Sequence, residues 1–461
     1  MASLEVQVLA TSRERLNVAA EHEYQVPTLP LEEAVALFVQ RARQLKPRFE
    51  PDEHVREIAR RLDGLPLALE LAAARVKVLK TEQILGRIGH SLDLLHGGAL
   101  DAPERQRTLR ATIEWSHELL TADEQQLFAR LAVFAGSFDL EAVEAVCDAD
   151  LDVLQSLVDK SLLRQTEDGR FFMLETIKEF ALEQLGEGSD AHALRRRHAR
   201  HYLALAERAE PELRGPDQRG WFERLELDHD NLRAALSWSW EAGDTELGLR
   251  IAAALWRFWR AHNHLAEGTR VLDALLQPGQ AVPAPLRARA LVGASRLALD
   301  QGDLEDSVAR GEEALVTARS SGAAREIAAA TENLGVAVYV KEATSRALAL
   351  LEDSIARFRA LGDPVGTAEA LNNLGNALLS VGETGRALEV LEEALALHRD
   401  AENKWGVGFV LHTLGYAALQ QGDLERARAA RGKLGPRPGV RPRSRHRMES
   451  GGARAYRGRS R

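Results

Sequence analysis

Apolar residues recur along most of this chain at the three- and four-residue spacing of helices buried on one face, and only three short stretches read as strands. Leu31, Val35, Phe38, Ala42 and Leu45 mark one such helix after Pro27 and Pro30. Val55, Ile58, Ala59 and Leu62 mark the next. Gly64 then falls where a helix needs a left-handed closing residue, and Pro66 has no N–H to lose in the first turn of a new helix. Leu67, Leu69, Leu71, Ala72 and Val76 give that helix its apolar body. The stretch Leu62-Asp63-Gly64-Leu65-Pro66-Leu67 is thus predicted to be a kinked helix-to-helix corner. Upstream, Leu4-Glu5-Val6-Gln7-Val8-Leu9 reads as one buried strand that ends in the polar loop Ala10-Thr11-Ser12-Arg13. A lone strand of this kind belongs to a larger sheet.

Downstream, a helix is predicted from Thr108 to Leu120, and Thr121-Ala122-Asp123-Glu124 has the form of a capping box. Short helices follow around Leu140 to Val146 and Leu151 to Asp159. Leu162 to Thr166 and Phe171 to Leu174 flank Glu167-Asp168-Gly169-Arg170, a hairpin whose Asp-Gly pair suits a type I′ turn. With a further helix from Glu175 to Leu185, this order of elements reads as a winged helix. Its third helix, Asp150 to Lys160, is net acidic and is predicted not to touch DNA, since phosphates would face like charge.

Arg195-Arg196-Arg197-His198-Ala199-Arg200-His201 is expected to be a solvated helix face beside acids such as Glu183 and Glu187, in preference to a nucleic-acid patch. His198 and His201 lack a third ligand, and no metal site is expected. Asp230 or Asn231 is the expected cap of the next helix, and Trp238, Trp240, Trp256, Phe258 and Trp259 are expected core residues.

A period of 40 residues then governs the chain. Gly302, Gly382 and Gly422 are spaced by multiples of it, with Glu342 at the remaining step; Leu334-Gly335, Leu374-Gly375 and Leu414-Gly415 repeat likewise. Each unit is predicted to be two helices, the first with a small residue for close packing. The pattern looks like tetratricopeptide repeats of a longer type, which stack into a solenoid with a concave binding surface. After Ala427 the last helix is expected to fail at Gly432, Gly435 and Pro436, and the abrupt change of composition suggests a frameshifted ending. A solenoid left without its polar cap is expected to self-associate.

Composition adds charge to this picture. The chain of 461 residues has a net charge of −9, yet residues 431 to 461 hold 11 Lys or Arg against one acid, Glu449. The rest is strongly acidic, which disfavours nucleic-acid binding by the body. A single cysteine, Cys147, provides no intrachain disulfide and suits a cytoplasmic location. No apolar run approaches a membrane span, and no membrane partner is expected.

The strand end Val8 to Leu16, the helix at Glu33 to Phe38, and Leu62-Asp63-Gly64-Leu65-Pro66-Leu67-Ala68-Leu69-Glu70-Leu71 together resemble the distal half of the nucleotide-binding module of STAND signalling NTPases. These NB-ARC-like bacterial regulators include LuxR/AfsR-type predicted ATPases. The resemblance implies that Arg13 corresponds to the residue sensing the terminal phosphate. It further implies that Gly64, Leu65, Pro66 and Leu67 line the adenine pocket, with ADP or ATP as the cofactor of intact relatives. Met173-Leu174-Glu175 matches the family's Met-His-Asp motif, which places Met173 and Glu175 at the nucleotide, although leucine replaces the histidine that touches the diphosphate. No Gly-x-x-x-x-Gly-Lys loop is present, so neither catalysis nor catalytic residues are expected. The expectation is a truncated frame or a remnant.

The implied fold is mainly α, with an α/β remnant over residues 1–24, a helical ARC-like subdomain over 25–105 and a winged helix over 106–190. A helical linker over 191–285, tetratricopeptide repeats over 286–430 and a disordered basic tail over 431–461 complete it. The implied function is a signal-transducing, transcriptional regulator whose repeats bind an effector or protein partner. The alternative is a stand-alone repeat scaffold that needs no nucleotide. Trp221-Phe222 and Leu225 to Leu236 also resemble the start of the sensor region in such regulators.

Overall fold

The computed structural model describes residues 27–87, 109–277, 279, 281–342 and 344–432. The expected N-terminal strand, Arg13 and the basic tail from Lys433 onward lie outside them. The chain divides into two units, the first of residues up to Glu212, Gly220–Leu255 and Arg270–Ala290, the second of Leu213–Arg219, Trp256–Thr269 and the residues from Leu291.

In the first unit, α1 (Leu31–Leu45) buries Ala34, Phe38 and Ala42, one residue per turn, and packs against α2 (Glu53–Arg61) and α3 (Pro66–Ala74). Asp52 caps α2 by accepting the N–H of His54 at 3.1 Å and also accepts the hydroxyl of Thr81, the first residue of α4 (Thr81–Arg87).

The winged helix follows as α5 (Leu109–Glu118), α6 (Ala122–Leu131), α7 (Leu140–Cys147), α8 (Leu151–Asp159), the strands β1 (Arg164–Gln165) and β2 (Phe171–Phe172), and α9 (Glu175–Leu185). The capping box forms as its spacing predicts: Thr121 Oγ1 accepts from the Glu124 N–H at 3.3 Å, and Glu124 accepts from the Thr121 N–H at 2.7 Å. β1 and β2 pair antiparallel, with Arg164 opposite Phe172 and Gln165 opposite Phe171. The turn between them is not type I′. Gly169 donates to the Thr166 carbonyl at 3.0 Å and has φ of +83°, but Asp168 stays outside the left-handed region. A type I turn closed by a left-handed glycine bulge results, because three residues, not two, separate the paired positions Thr166 and Arg170.

The remaining helices are α10 (Ser189–Glu212), α11 (Gln218–Leu227), α12 (His229–Glu241), α13 (Thr245–Ala261), α14 (Leu265–Leu275) and α15 (Ala284–Gln301). Within the first unit, α10 packs on α7 and α12. Trp256, Phe258 and Trp259 are buried as expected, but Trp240 is 51% exposed, two residues from half-buried Trp238 and therefore on the opposite side of α12.

The second unit is a stack of helix pairs: the part of α15 from Leu291 meets α16 (Leu304–Ser321), where the Ser295 hydroxyl donates to the Ser307 carbonyl at 2.7 Å, and α17 (Ala324–Lys341) pairs with α18 (Ser345–Ala360), α19 (Pro364–Ser380) with α20 (Thr384–Asp400), and α21 (Lys404–Gln420) with α22 (Leu424–Gly432). Two of the repeated Leu-Gly positions are points of close helix contact. A Cβ on Gly375 would lie 2.6 Å from Leu391, and one on Gly335 would lie 2.9 Å from Leu351, so only glycine lets the paired helices approach this closely. Gly302 and Gly382 turn between helices at φ of +84° and Gly422 at +76°, whereas Glu342 closes α17 in an extended conformation, φ −149°. The last helix continues past Ala427 to Gly432, the first of the residues expected to stop it, and buries Ala430 against α21, since its Ala- and Arg-rich sequence favours helix.

Candidate functional site

The corner after α2 is built by two left-handed residues in succession. Asp63 has φ of +52° and Gly64 of +63°. Gly64 donates to the Ala59 carbonyl at 3.2 Å and Asp63 to the Arg60 carbonyl at 3.1 Å, the bond pair of a Schellman closure in which Asp63 takes the left-handed closing position expected of Gly64. Gly64 answers a second demand. Its carbonyl accepts the Leu29 N–H at 3.1 Å, and any Cβ would strike the Leu29 carbonyl oxygen. Leu65 then precedes α3, with Pro66 at its first turn.

The corner meets the winged helix through Asp63. Helix α9 has Leu174 at its N-cap, a side chain that cannot accept a hydrogen bond, and its first N–H, that of Glu175, donates to Asp63 Oδ2 at 2.7 Å. Burial is the largest influence on this carboxyl and, with the neighbouring Glu175 charge, pushes its pKa up to about 6 against the lowering pull of that hydrogen bond and of Arg164. Beside it Thr176 is buried, with its Oγ1 lacking a partner. Of the sequence-predicted residues, Gly64 and Glu175 are thus brought to one joint. Pro66 is exposed, Leu65 and Leu67 are half-buried, and Glu175 is exposed, whereas Met173 is buried in the winged-helix core. Asp63, the residue that joins the two motifs, was not among those predicted.

A second junction fastens the winged helix to the helices after it. Arg170, next to the hairpin turn, donates to Asp228 at 2.5 Å, and the pair is almost wholly buried. The same guanidinium donates to the Ser137 hydroxyl at 2.9 Å and the Ser137 carbonyl at 2.8 Å, and Asn231 Nδ2 donates to that carbonyl at 2.9 Å. Asn231 Oδ1 accepts the Ala135 N–H at 2.7 Å and lies 3.3 Å from His198 Nε2. Neither Asp230 nor Asn231 caps α12. Asp228 holds the N-cap position, and its carboxylate turns to Arg170 because a buried guanidinium must be neutralised. Burial drops the His198 pKa to about 4, so this imidazole is neutral and tied to Asn231. The basic run before it is largely exposed as expected, but Glu183 pairs with Arg110, at 2.8 Å, instead.

Within the winged helix, buried Glu124 fastens α8 by accepting from Lys160 Nζ at 2.7 and 2.8 Å and from the Ser156 hydroxyl at 2.5 Å. These bonds outweigh its burial and hold its pKa down to about 2. The one cation that closes the third helix is therefore engaged internally, while Asp150 and Asp152 remain at its start.

In the second unit, successive first helices of the pairs are neighbours, α17 with α19 and α19 with α21, and form the inner face of the stack. Glu332 on α17 accepts from Arg296 at 2.6 Å and from Asn373 at 2.5 Å. Glu369 on α19 accepts both arms of Arg214, at 3.0 and 2.9 Å, with Arg257 3.7 Å away.

Two known families match these parts. The winged helix-turn-helix domain family matches residues 120–186, and the tetratricopeptide repeat family matches residues 326–400. A Mycobacterium tuberculosis protein named as an HTH-type transcriptional regulator is 41% identical over 343 residues, 69% of this chain and 38% of the relative. The chain spans about two fifths of that relative's length. An uncharacterised protein of the same species is 40% identical over 210 residues, 42% of this chain and 53% of the relative. Among solved structures, a STAND protein with a tetratricopeptide repeat sensor from Pyrococcus horikoshii has a TM-score of 0.45 at 16% identity, covering 88% of this chain and 59% of that one. Among the described residues, no helix is long and apolar enough to cross a membrane.

Proposed function

We propose that this chain is the switch-and-sensor part of a STAND-type transcriptional regulator, in which the corner at Gly64-Leu65-Pro66-Leu67 walls the base side of ADP or ATP and the repeats bind an effector or protein. The observation that carries this reading is the Asp63–Glu175 bond, which couples the corner to the winged helix at the motif expected beside the nucleotide. The exposed Pro66 ring and the half-buried Leu65 and Leu67 suit an adenine face. They do not suit phosphates, since the start of α9, where an anion is favoured, already holds a carboxylate. The winged helix acts here as an internal clamp, because Glu124 draws Lys160 inward and leaves α8 acidic toward any duplex.

Titration of the purified chain with ADP tests the switch. Binding that weakens about tenfold in Pro66→Ala, a loss of roughly 1.4 kcal/mol, is the expected result. No binding at millimolar ADP would leave the repeat scaffold, without a nucleotide step, as the function. Salt-sensitive binding of duplex DNA that is lost on substitution within α8 would overturn the clamp.

A further inference from the structure

The inner face of the repeats carries two carboxylates that are neutralised in different ways. Glu332 receives Arg296 from the preceding helix pair, 36 residues back. The residue at the same distance before Glu369 is Asn333, which is buried and donates to Ser295 Oγ at 2.8 Å. The preceding repeat therefore offers Glu369 no cation at that position. Behind Glu369, His398 is buried, and its burial holds the imidazole pKa below its ordinary value.

The cation comes from outside the stack. Arg214 lies in Leu213–Arg219, the link between α10 and α11 together with the first two residues of α11, and grips Glu369 in a two-armed fork across 155 residues of chain. The front of this link is covered and its turn is open: Leu213 is 2% exposed and Arg214 is largely covered, whereas Pro216 and Asp217 are exposed. Arg257 stands at 3.7 Å, too far for a good hydrogen bond, so the fork to Glu369 belongs to Arg214 alone. The same inner surface continues along α21 with Phe409, Tyr416 and Leu419, which are 44%, 54% and 56% exposed and, with His412 between them, follow helical spacing.

We propose that Leu213–Arg219 is an internal stand-in for a partner: the inner face recognises a protein segment that presents an arginine to Glu369 with apolar residues beside it, and Arg214 holds that place until the partner displaces it. This rests on the reading of the repeats as the sensor. The bidentate carboxylate selects a guanidinium over an ammonium, because only the planar fork satisfies both oxygens at once. The exposed aromatic stripe then discriminates by what accompanies the arginine.

The test uses the full chain and a fluorescein-labelled peptide of the sequence Leu213–Arg219, followed by anisotropy. Arg214→Ala is expected to bind this peptide about tenfold more tightly than the unsubstituted chain. The same peptide with alanine at the position of Arg214 and its second arginine kept should not bind, and adding Glu369→Gln to Arg214→Ala should abolish binding. A folded Arg214→Ala chain that fails to bind at about 1 mM peptide, or that binds both peptides equally, overturns the proposal. Should Arg214→Ala not fold, hydrogen exchange of the unsubstituted chain decides. Excess unlabelled peptide should speed exchange in residues 213–219 and leave α19 unchanged, and no change in that segment sinks the idea. These readouts need neither nucleotide nor a transcriptional output, so failure of the regulator reading leaves a positive result standing, and failure here leaves the ADP titration standing.

Discussion

The carboxylate of Asp63 accepts the backbone N–H of Glu175 at 2.7 Å across 112 residues of chain, and it does so from a left-handed backbone conformation. A non-glycine residue in that region is strained, and aspartate is among the few that tolerate it. The strain has a use: it turns the side chain out of the α2 closure and onto the uncapped start of α9. One residue thus ends one helix and begins another.

The pH dependence of this joint has a definite sign. The carboxyl has a folded pKa of about 6, above its ordinary 3.8, so the stability it contributes is fully present below that ordinary value and is lost as pH rises through about 6. Asp63→Asn keeps an accepting oxygen and the left-handed tolerance but cannot ionise. Thermal melts of the two chains should coincide below about pH 4 and separate in favour of the asparagine variant by about pH 7. A separation that does not vary with pH would show that Asp63 ionisation has no part in it.

The Arg170–Asp228 pair should be the costliest polar contact to break in the first unit. Its side chains are 9% and 4% exposed, so Asp228→Ala strands a buried guanidinium and is expected to destabilise by about 3–5 kcal/mol. Denaturant unfolding monitored by tryptophan fluorescence measures this. A loss under about 1 kcal/mol would mean that water reaches Arg170 and that the pair behaves as a surface bridge.

Glu402 offers a stabilising change. It sits at φ of +51°, at the turn where Gly362, one period earlier, has +66°, and Gly322, two periods earlier, has +68°. Glu402→Gly removes a left-handed penalty of about 1 kcal/mol and should raise the melting temperature of the chain. A lowered melting temperature would mean that the glutamate side chain contributes more than its backbone costs.

Much of this architecture was legible in the residues. Gly64 and Pro66 located the corner, Thr121 and Glu124 located the start of α6, and the Leu-Gly pairs gave the repeat, because each of these works within a few residues or by strict recurrence. The failures share a cause. Asp230 and Asn231 look like caps locally, yet Asp228 and Asn231 answer to Arg170 and Ser137, far away in the chain. Trp240 looks apolar, but its face of α12 is set by its neighbours. The hairpin turn was misjudged because the Asp-Gly pair specifies a turn only once the number of intervening residues is known, and that number is fixed by the pairing. Asp63 carried one local signal, its place after the last apolar residue of α2, but nothing nearby named Glu175 as its partner.

The fork between Arg214 and Glu369 also acts as a ruler. A solenoid tolerates added or lost repeats because each pair of helices meets only its neighbours. This one has its length measured from outside, since a guanidinium anchored before the stack must find a carboxylate on the third helix of the 40-residue series. Inserting one more helix pair between them would carry Glu369 onward by about the 8–10 Å that separates packed helices, well beyond the reach of the fork. The number of repeats ahead of α19 is therefore fixed by a salt bridge, while the number behind it is free to vary.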